Sequence, residues 1–222
     1  MVQEPRSLSD ATSCPLCLAV GAVLFHEGRC RPFYRCPGCA LVFVPRAWHL
    51  SPEEEKRRYD HHRNDPADPG YRRFLDRLVR PLAARLQPGQ RGIDFGCGPG
   101  PAVSRMMGEH GFSVADYDIF YANDPSLLEQ GYDFLTCTEV VEHFRAPRGE
   151  WARFMALVRP GGWLGIMTQL LEPGVDFSNW YYKNDETHVN FYSRETFLYL
   201  ARRHALSPVF EGSSVILLRR LK

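Results

Sequence analysis

The sequence predicts an α/β fold with a small metal-bound module in front of it, and two features carry this prediction. The first is a pair of C-x2-C motifs near the N-terminus, separated by eighteen residues. The second, QRGIDFGCGPGPAVSRMM at residues 90–107, is an apolar strand, a glycine-rich turn and a helical segment, the order that opens parallel α/β sheets. The chain has 222 residues, which is long enough for one core of about 150 to 200 residues plus an appendage.

Composition and charge narrow the classes of function. The 27 basic and 26 acidic residues nearly balance, so no overall field favours nucleic acid or a membrane surface. No apolar run approaches the roughly 18 residues that a transmembrane helix needs. The polar first ten residues, MVQEPRSLSD, lack the apolar region of a signal peptide. We therefore expect a soluble, cytoplasmic protein with no membrane partner.

The cysteine motifs predict a zinc ribbon over residues 1–45. Seven cysteines, an odd number, fit poorly with a disulfide framework, whereas two C-x2-C turns can close a thiolate tetrahedron around one zinc ion. Four thiolates leave no open coordination position, so the zinc is expected to be structural. Gly38 is expected to supply a positive φ in the second turn, and VLFHEG and RPFYRC are expected to form a hairpin, with Cys30 left over. The predicted ligands are Cys14, Cys17, Cys36 and Cys39.

Three arginines in the ribbon, Arg29, Arg31 and Arg35, suggest an alternative role. They could grip RNA or a protein partner, but a solvated charged face is the interpretation we favour.

The rest of the chain divides into a linker and a main domain. Residues 46–70 are polar and rich in proline, with one charged helical piece, and predict a linker or lid. His61 and His62 fall in this charged run, where no role is expected. Residues 71–222 are expected to form the main domain. It opens with an amphipathic helix over 71–86, kinked at Pro81, because apolar residues recur there at helical spacing.

The glycine turn has the order D-x-G-x-G-x-G, which resembles motif I of class I S-adenosylmethionine-dependent methyltransferases. The resemblance implies a Rossmann-like sheet whose first turn binds the cofactor. GFSVADYD would then be a second strand ending in Asp118, which in this family binds the ribose hydroxyls, with Asp116 as the alternative. The implied cofactor-binding residues are Asp94, Gly96, Cys97, Gly98, Gly100, Asp118 and Thr138.

Further segments match the family in order, over roughly residues 75–222. YDFLTCTEVVEHF resembles the fourth strand, and LVRPGGWLGIMT resembles the following helix, turn and fifth strand. HALSPVF and SSVILLRRL would form the terminal antiparallel pair. Fourteen residues, Ile119 to Tyr132, separate Asp118 from Asp133, so the third strand is expected to be shortened or missing.

The segment TEVVEHF places Glu139, Glu142 and His143 at positions i, i+3 and i+4, which would share one helix face. Later, THVNFYSRETF resembles the H-x-x-F-x-[ST]-R-E-x-F run of small-RNA 3′-terminal 2′-O-methyltransferases. The E-x-x-E-H turn also occurs in ubiquinone-pathway O-methyltransferases. The resemblance implies a Mg²⁺ or Mn²⁺ site formed by Glu139, Glu142, His143 and His188.

Two other interpretations of these residues stay open. Thr136 and Glu139 fit a capping box, in which case the acidic residues only stabilise a helix start. Alternatively, His143 or His188 acts as a metal-free general base with Glu142 orienting it. With or without a cation, His143, His188 and Glu142 are the catalytic candidates.

Other side chains near these motifs have functional and structural interpretations. Five aromatic residues could wall an aromatic or nucleoside acceptor or simply pack: Trp180, Tyr181, Tyr182, Phe191 and Tyr192. Cys97 and Cys137 could have a redox role, although buried small side chains are favoured.

The favoured function is a methyltransferase that uses S-adenosylmethionine and a divalent cation to methylate a small diol or phenolic acceptor. A second hypothesis is an RNA methyltransferase that acts on ribose or base, with the zinc ribbon as clamp. A third is a non-catalytic scaffold that senses the cofactor. No protein partner follows from the sequence.

Overall fold

A computed structural model of the chain describes residues 13–61 and 64–222. The polar segment MVQEPRSLSD and His62 lie outside the described residues. The helices of the described part are α1 Pro52–Tyr59, α2 Pro69–Ala83, α3 Ala102–Glu109, α4 Pro147–Leu157 and α5 Arg194–His204. The strands are β1 Val23–Glu27, β2 Pro32–Arg35, β3 Val42–Phe43, β4 Arg91–Phe95, β5 Ser113–Tyr117, β6 Tyr132–Thr138, β7 Val158–Met167, β8 Asn190–Phe191, β9 Leu206–Glu211 and β10 Val215–Arg220.

Six strands form the main sheet in the order β5-β4-β6-β7-β10-β9. Strands β5, β4, β6 and β7 are parallel, and β10 and β9 add the terminal antiparallel pair. This confirms the predicted α/β, Rossmann-like fold. Between β5 and β6 the chain forms a 3-10 turn at Pro125–Glu129 instead of a strand. Fourteen residues are too few for a strand and its crossover helix, so β5 is a free edge.

Helices cover both faces of the main sheet. Alternate residues of each strand point to opposite sides, so the apolar side chains on each face need helices to bury them. Helices α2 and α3 share one apolar cluster with Phe134 and Leu217. Helices α4 and α5 share another with Leu135 and Leu218. Helix α2 begins two residues before the predicted start, where the Asp68 carboxylate accepts the Tyr71 N–H at 2.5 Å, and it continues through Pro81.

The N-terminal hairpin belongs to a second sheet, of order β1-β2-β3-β8, in which β8 comes from the C-terminal half of the chain. Val42 pairs with Phe191, and Phe43 pairs with Asn190. The predicted hairpin is present as β1 and β2. The prediction for Gly38 was wrong: Leu18 and Ala40 take the positive φ that lets each cysteine turn reverse. The division at residues 45 and 70 stays a prediction.

The described residues include no helix with both the length and the apolar character needed to cross a membrane.

Phe191 tests how strongly the two sheets depend on each other. Its side chain is fully buried and packs against Phe33 of the hairpin and against Phe177 and Trp180. We expect Phe191→Ala to lower the free energy of unfolding by about 3–5 kcal/mol, as large core truncations do. Leu198→Ala is the control: Leu198 is exposed, so its loss should change stability by no more than about 0.5 kcal/mol. Urea denaturation measures both, and equal effects would contradict a shared core.

Candidate active site and metal centres

The glycine turn after β4 is built to leave its backbone open. Gly96 and Gly98 have φ of 82° and 66°, which side chains other than glycine rarely adopt. The Gly96 N–H donates to the Tyr117 carbonyl at 2.7 Å, which fixes the start of the turn against β5. A Cβ on Gly96 would lie 2.5 Å from Val140 Cγ2, and one on Gly100 would overlap the Asn64 carbonyl oxygen.

Asp118 joins the glycine turn to the loop that follows β5. Its Oδ2 accepts the Gly98 N–H at 3.0 Å, and its Oδ1 accepts the N–H groups of Phe120 and Tyr121 at 2.8 and 3.1 Å. The alternative residue, Asp116, does not line the cavity beside this turn, whereas Asp118 does.

A cavity of about 630 Å³ lies at the carboxyl ends of β4, β5 and β6, where open α/β sheets bind their ligands. Six predicted cofactor residues line it, namely Asp94, Gly96, Cys97, Gly98, Asp118 and Thr138, but Gly100 does not. Asp94 is buried, and its Oδ1 accepts the Thr136 hydroxyl at 2.7 Å. Burial, with smaller contributions from Asp116 and Asp118, raises the pKa of Asp94 to about 7.

Of the two interpretations of the later aromatic residues, the substrate wall is not supported, because none of Trp180, Tyr181, Tyr182, Phe191 and Tyr192 lines this cavity. Tyr182, Phe191 and Tyr192 are buried in the cores, and Tyr181 is exposed. The aromatic lining instead comes from Tyr59, Tyr71, Phe74, Phe95, Tyr117, Phe120, Tyr121 and Phe144. Glu55 and Tyr59 also line it and lie four residues apart on α1, a spacing that could have indicated a shared face.

TEVVEHF does not form the predicted helix. Glu139 takes a φ of 52°, and its N–H donates to the Met167 carbonyl at 2.7 Å, so the chain turns sharply at the end of β6. Only Val141–His143 form a single 3-10 turn. The capping-box interpretation is also wrong, because Thr136 lies within β6 and bonds to Asp94. A left-handed residue that is not glycine is a feature that clusters at functional sites.

The turn nevertheless brings three ligand-type side chains together. One carboxylate oxygen of Glu142 and one ring nitrogen each of His143 and His188 all lie within 4.8 Å of one another. Glu142 is fully buried, and the two imidazole centroids are 4.8 Å apart. The fourth predicted ligand, Glu139, lines the cavity beside this group but does not belong to it.

Both imidazoles are oriented through their Nδ1 atoms. His143 Nδ1 lies 3.1 Å from the Thr187 carbonyl oxygen, and His188 Nδ1 lies 2.7 Å from that of Tyr182. A carbonyl can only accept, so each Nδ1 carries the proton and each Nε2 keeps its lone pair. Burial lowers the pKa of His143, and burial with the neighbouring His143 lowers that of His188 to about 4. Both rings are therefore neutral at pH 7.

Tyr182 lies between the two carboxylates. Its hydroxyl donates to Glu142 Oε1 at 2.5 Å, and it also lies 3.4 Å from Glu139 Oε2. Glu139 Oε1 and Glu142 Oε2 are buried without a hydrogen-bond partner. Burial raises the pKa of both carboxyl groups, and the charge of Glu142 raises that of Glu139 further. Unpaired buried carboxylate oxygens beside neutral imidazoles form a donor set suited to a hard or borderline cation.

The four predicted zinc ligands also converge. Cys14 Sγ lies 3.5 Å from Cys39 Sγ, and Cys17 Sγ lies 3.3 Å from Cys36 Sγ, with all four within 4.8 Å. A tetrahedral site with Zn–S bonds of about 2.3 Å needs sulfurs about 3.8 Å apart. The set therefore fits one structural zinc.

The other cysteines lie outside this set. Cys30 is exposed. Cys97 and Cys137 are buried, and burial raises the pKa of both thiols. A raised pKa disfavours the reactive thiolate, so their packing interpretation is the one that the environment supports.

Comparison with known proteins identifies the family of this chain and a solved structure with a similar fold. A family model described as "Methyltransferase domain" matches residues 59–208, more than half of the chain. A ubiquinone biosynthesis O-methyltransferase of Burkholderia cenocepacia is 33% identical, over 36% of this chain and 44% of that protein. One of Burkholderia thailandensis is 32% identical, over 36% and 45%. The match thus spans less than half the length of these curated relatives.

Among solved structures, a 1,6-didemethyltoxoflavin-N1-methyltransferase of Burkholderia thailandensis has a similar fold. That structure contains 1,6-didemethyltoxoflavin and S-adenosylhomocysteine, and it superposes with a TM-score of 0.50 at 15% identity. The superposition covers 90% of this chain and 100% of the other. At this identity the likeness concerns the fold alone.

The glycine turn gives one test. We expect Gly96→Ala to weaken binding of S-adenosylhomocysteine at least tenfold, because the added methyl group meets Val140 and the positive φ becomes unfavourable. Gly108→Ala is the matched control: it lies in α3 with nothing within 4 Å of an added Cβ. It should raise stability by about 0.5–1 kcal/mol. Calorimetric titration gives the affinities. Unchanged binding by Gly96→Ala would show that the cofactor does not bind at this turn.

The cysteine cluster gives a second test. Purified protein should contain one zinc ion per chain by elemental analysis, and Cys39→Ser should lose it together with thermal stability. Cys30→Ser should keep both, because Cys30 lies outside the cluster. Zinc retained in full by Cys39→Ser would show that the four sulfurs do not form the site.

Proposed function

This chain belongs to the methyltransferase-domain family, and from that premise we propose that it methylates a hydroxyl group of a small acceptor. The methyl donor is S-adenosylmethionine, the acceptor is a diol or a phenol, and a divalent cation assists the transfer. One observation carries the proposal: Glu142, His143 and His188 present their ligand atoms together, and the two histidines line the cavity. This cavity also contains the glycine turn and Asp118.

The donor set argues for a divalent cation such as Mg²⁺ or Mn²⁺. Glu142, His143 and His188 would hold it, and Glu139 Oε1, at the same turn, is buried without a hydrogen-bond partner. When bound, the cation would lower the pKa of an acceptor hydroxyl and fix its position. The carbonyls that orient both imidazoles leave Nε2 as the available ligand atom, as is usual for metal-binding histidines.

The remaining lining supports division of the cavity between donor and acceptor. The glycine turn and Asp118 offer backbone N–H groups and a carboxylate to the donor. Tyr59 packs edge-on against His143, with ring centroids 5.4 Å apart, and lies 5.8 Å from Phe120. An aromatic acceptor ring would fit beside these side chains, with its hydroxyl directed to His143 and His188.

A small acceptor fits better than RNA. The named relatives are ubiquinone biosynthesis O-methyltransferases. In addition, Arg31, one of the three arginines considered for RNA binding, is buried and bonded to the protein itself. It is not part of a solvated face.

A metal-free mechanism is the second candidate, and one observation favours it. Both Nε2 atoms carry a lone pair on a neutral ring, so either histidine could accept the acceptor's proton. In that case Glu142 and Tyr182 would position the turn without binding a cation.

Manganese binding separates these alternatives before any acceptor is known. We expect zinc-loaded protein with S-adenosylhomocysteine to bind one Mn²⁺, detected by the loss of the free-ion EPR signal. Glu142→Gln and His188→Ala should each weaken binding at least tenfold, because each removes a donor from the set. Glu150→Gln and His204→Ala are the matched controls, since neither residue belongs to the group.

Absence of Mn²⁺ binding by the wild type would overturn the cation-assisted mechanism and leave the histidine base. An acceptor panel with labelled S-adenosylmethionine then tests the substrate class. Labelling of catechols and diols is expected. Labelling of RNA alone would favour the RNA hypothesis, whereas cofactor binding without any labelling would favour the sensing scaffold.

A further inference from the structure

Arg31 connects the zinc ribbon to the loop that bears His188. It lies in the turn between β1 and β2, yet its side chain is 93% buried, with a relative exposure of 7%. Its Nη1 donates to the Glu186 carbonyl at 2.6 Å. Its Nη2 donates to the carbonyls of Asp185 and Lys183, at 2.6 and 2.9 Å. A buried guanidinium that donates hydrogen bonds to three carbonyls of one short segment restricts the conformation of that segment.

These three carbonyls lie, in chain order, between the two that orient the imidazoles. The Tyr182 carbonyl accepts from His188 Nδ1, and the Thr187 carbonyl accepts from His143 Nδ1. Arg31 binds the carbonyls that lie between them in the chain. Residues 182–187 therefore accept hydrogen bonds from Arg31 of the ribbon through three carbonyls, and from the two histidines through two other carbonyls.

The ribbon reaches the site by a second route through the backbone. The Val44 N–H donates to the Val189 carbonyl, and the Val189 N–H donates to the Glu142 carbonyl, each at 2.9 Å. Asn190, which pairs with Phe43, donates its side-chain N–H to the Phe144 carbonyl at 2.6 Å. The strand β3 that carries Val42 and Phe43 begins three residues after Cys39, so the zinc loop and the site are neighbours in this network.

We propose that the zinc ribbon is part of the active site, with Arg31 as the positioning residue that sets the direction of both imidazoles. The proposal rests on the proposed function in assigning His143 and His188 to the reaction. Arg31 does not line the cavity and is not one of the predicted ligands; it acts through its hydrogen bonds to the carbonyls of Lys183, Asp185 and Glu186. The ribbon is then a built-in support for the donor set and not a separate binding module.

The test compares two arginines of the same ribbon. Arg35 also links the ribbon to the main domain, through an ion pair of 3.1 Å with Glu195 at the start of α5, but this contact is exposed and remote from the loop. We expect Arg31→Ala to weaken Mn²⁺ binding at least tenfold, the usual effect of losing a residue that orients a ligand. Zinc content and S-adenosylhomocysteine affinity should stay at the wild-type level. Arg35→Ala should change none of the three.

A second measurement does not depend on a bound cation. In ¹⁵N-resolved NMR spectra, His143 and His188 of the wild type should be Nδ1–H tautomers, and Arg31→Ala should show a mixture of tautomers at one or both rings. Arg31→Lys restores the charge and part of the hydrogen bonding, so it should fall between the wild type and Arg31→Ala in both measurements.

The outcomes are distinct. If the wild type binds no Mn²⁺ but Arg31→Ala changes the tautomers, the cation mechanism fails and the positioning role holds. If Arg31→Ala keeps wild-type tautomers and wild-type Mn²⁺ affinity, the positioning role is overturned whatever the acceptor proves to be. If both Arg31→Ala and Arg31→Lys lose zinc or cofactor binding, Arg31 has a structural role only. That result would also overturn the positioning role.

Discussion

The pairing of β3 with β8 is the contact on which the rest of the structure depends. Each strand has two residues, too few for a stable ladder alone, but each is buried and anchored at both ends. The cysteine turn of Cys36 and Cys39 lies just before β3, and His188 lies two residues before β8. The sheet that joins the two halves of the chain therefore connects the cysteine cluster, the aromatic core around Phe191 and the histidine loop. The N-terminal hairpin completes its sheet with a strand from the methyltransferase domain.

The site gathers acidic side chains whose charged form is disfavoured by burial, at a cavity that Arg145 and Arg153 also line. Asp94, Glu139 and Glu142 all have a pKa raised by burial, and within the described residues the nearby imidazoles are neutral. The donor of the proposed reaction is a sulfonium, which carries a positive charge that is lost on transfer. A positive charge beside these carboxyl groups favours their charged form, so they would attract the sulfonium, or a cation held by the turn, more than the neutral product. The same electrostatics would thus promote both binding of the donor and release of S-adenosylhomocysteine.

The sequence predicted those parts of the fold that depend on local pattern. The strand, glycine turn and helix at residues 91–109 follow from residue order, and the structure contains them. The loss of the third strand and the terminal antiparallel pair were implied by the family resemblance, and the sheet order agrees with both. The helix predicted for TEVVEHF failed because a spacing of i, i+3 and i+4 says nothing about the positive φ that Glu139 adopts. The contacts of Arg31 with Glu186 and of Tyr182 with Glu142 could not be foreseen, since these partners are 155 and 40 residues apart in the chain. The aromatic residues at 180–192 allowed both a substrate wall and core packing, because composition alone does not distinguish a cavity lining from a core.

The shortened connection between β5 and β6 also bears on how one copy of this chain meets another. Without a third strand, β5 ends the main sheet on one side, and β9 ends it on the other. Open edges invite pairing with a second molecule, which leads to aggregation. Here β5 has only five residues and carries Asp116, and β9 contains Pro208, which has no N–H to offer. The main sheet thus lacks one strand, but both of its edge strands are short and carry a charge or a proline. These features discourage pairing between the sheet edges of two chains.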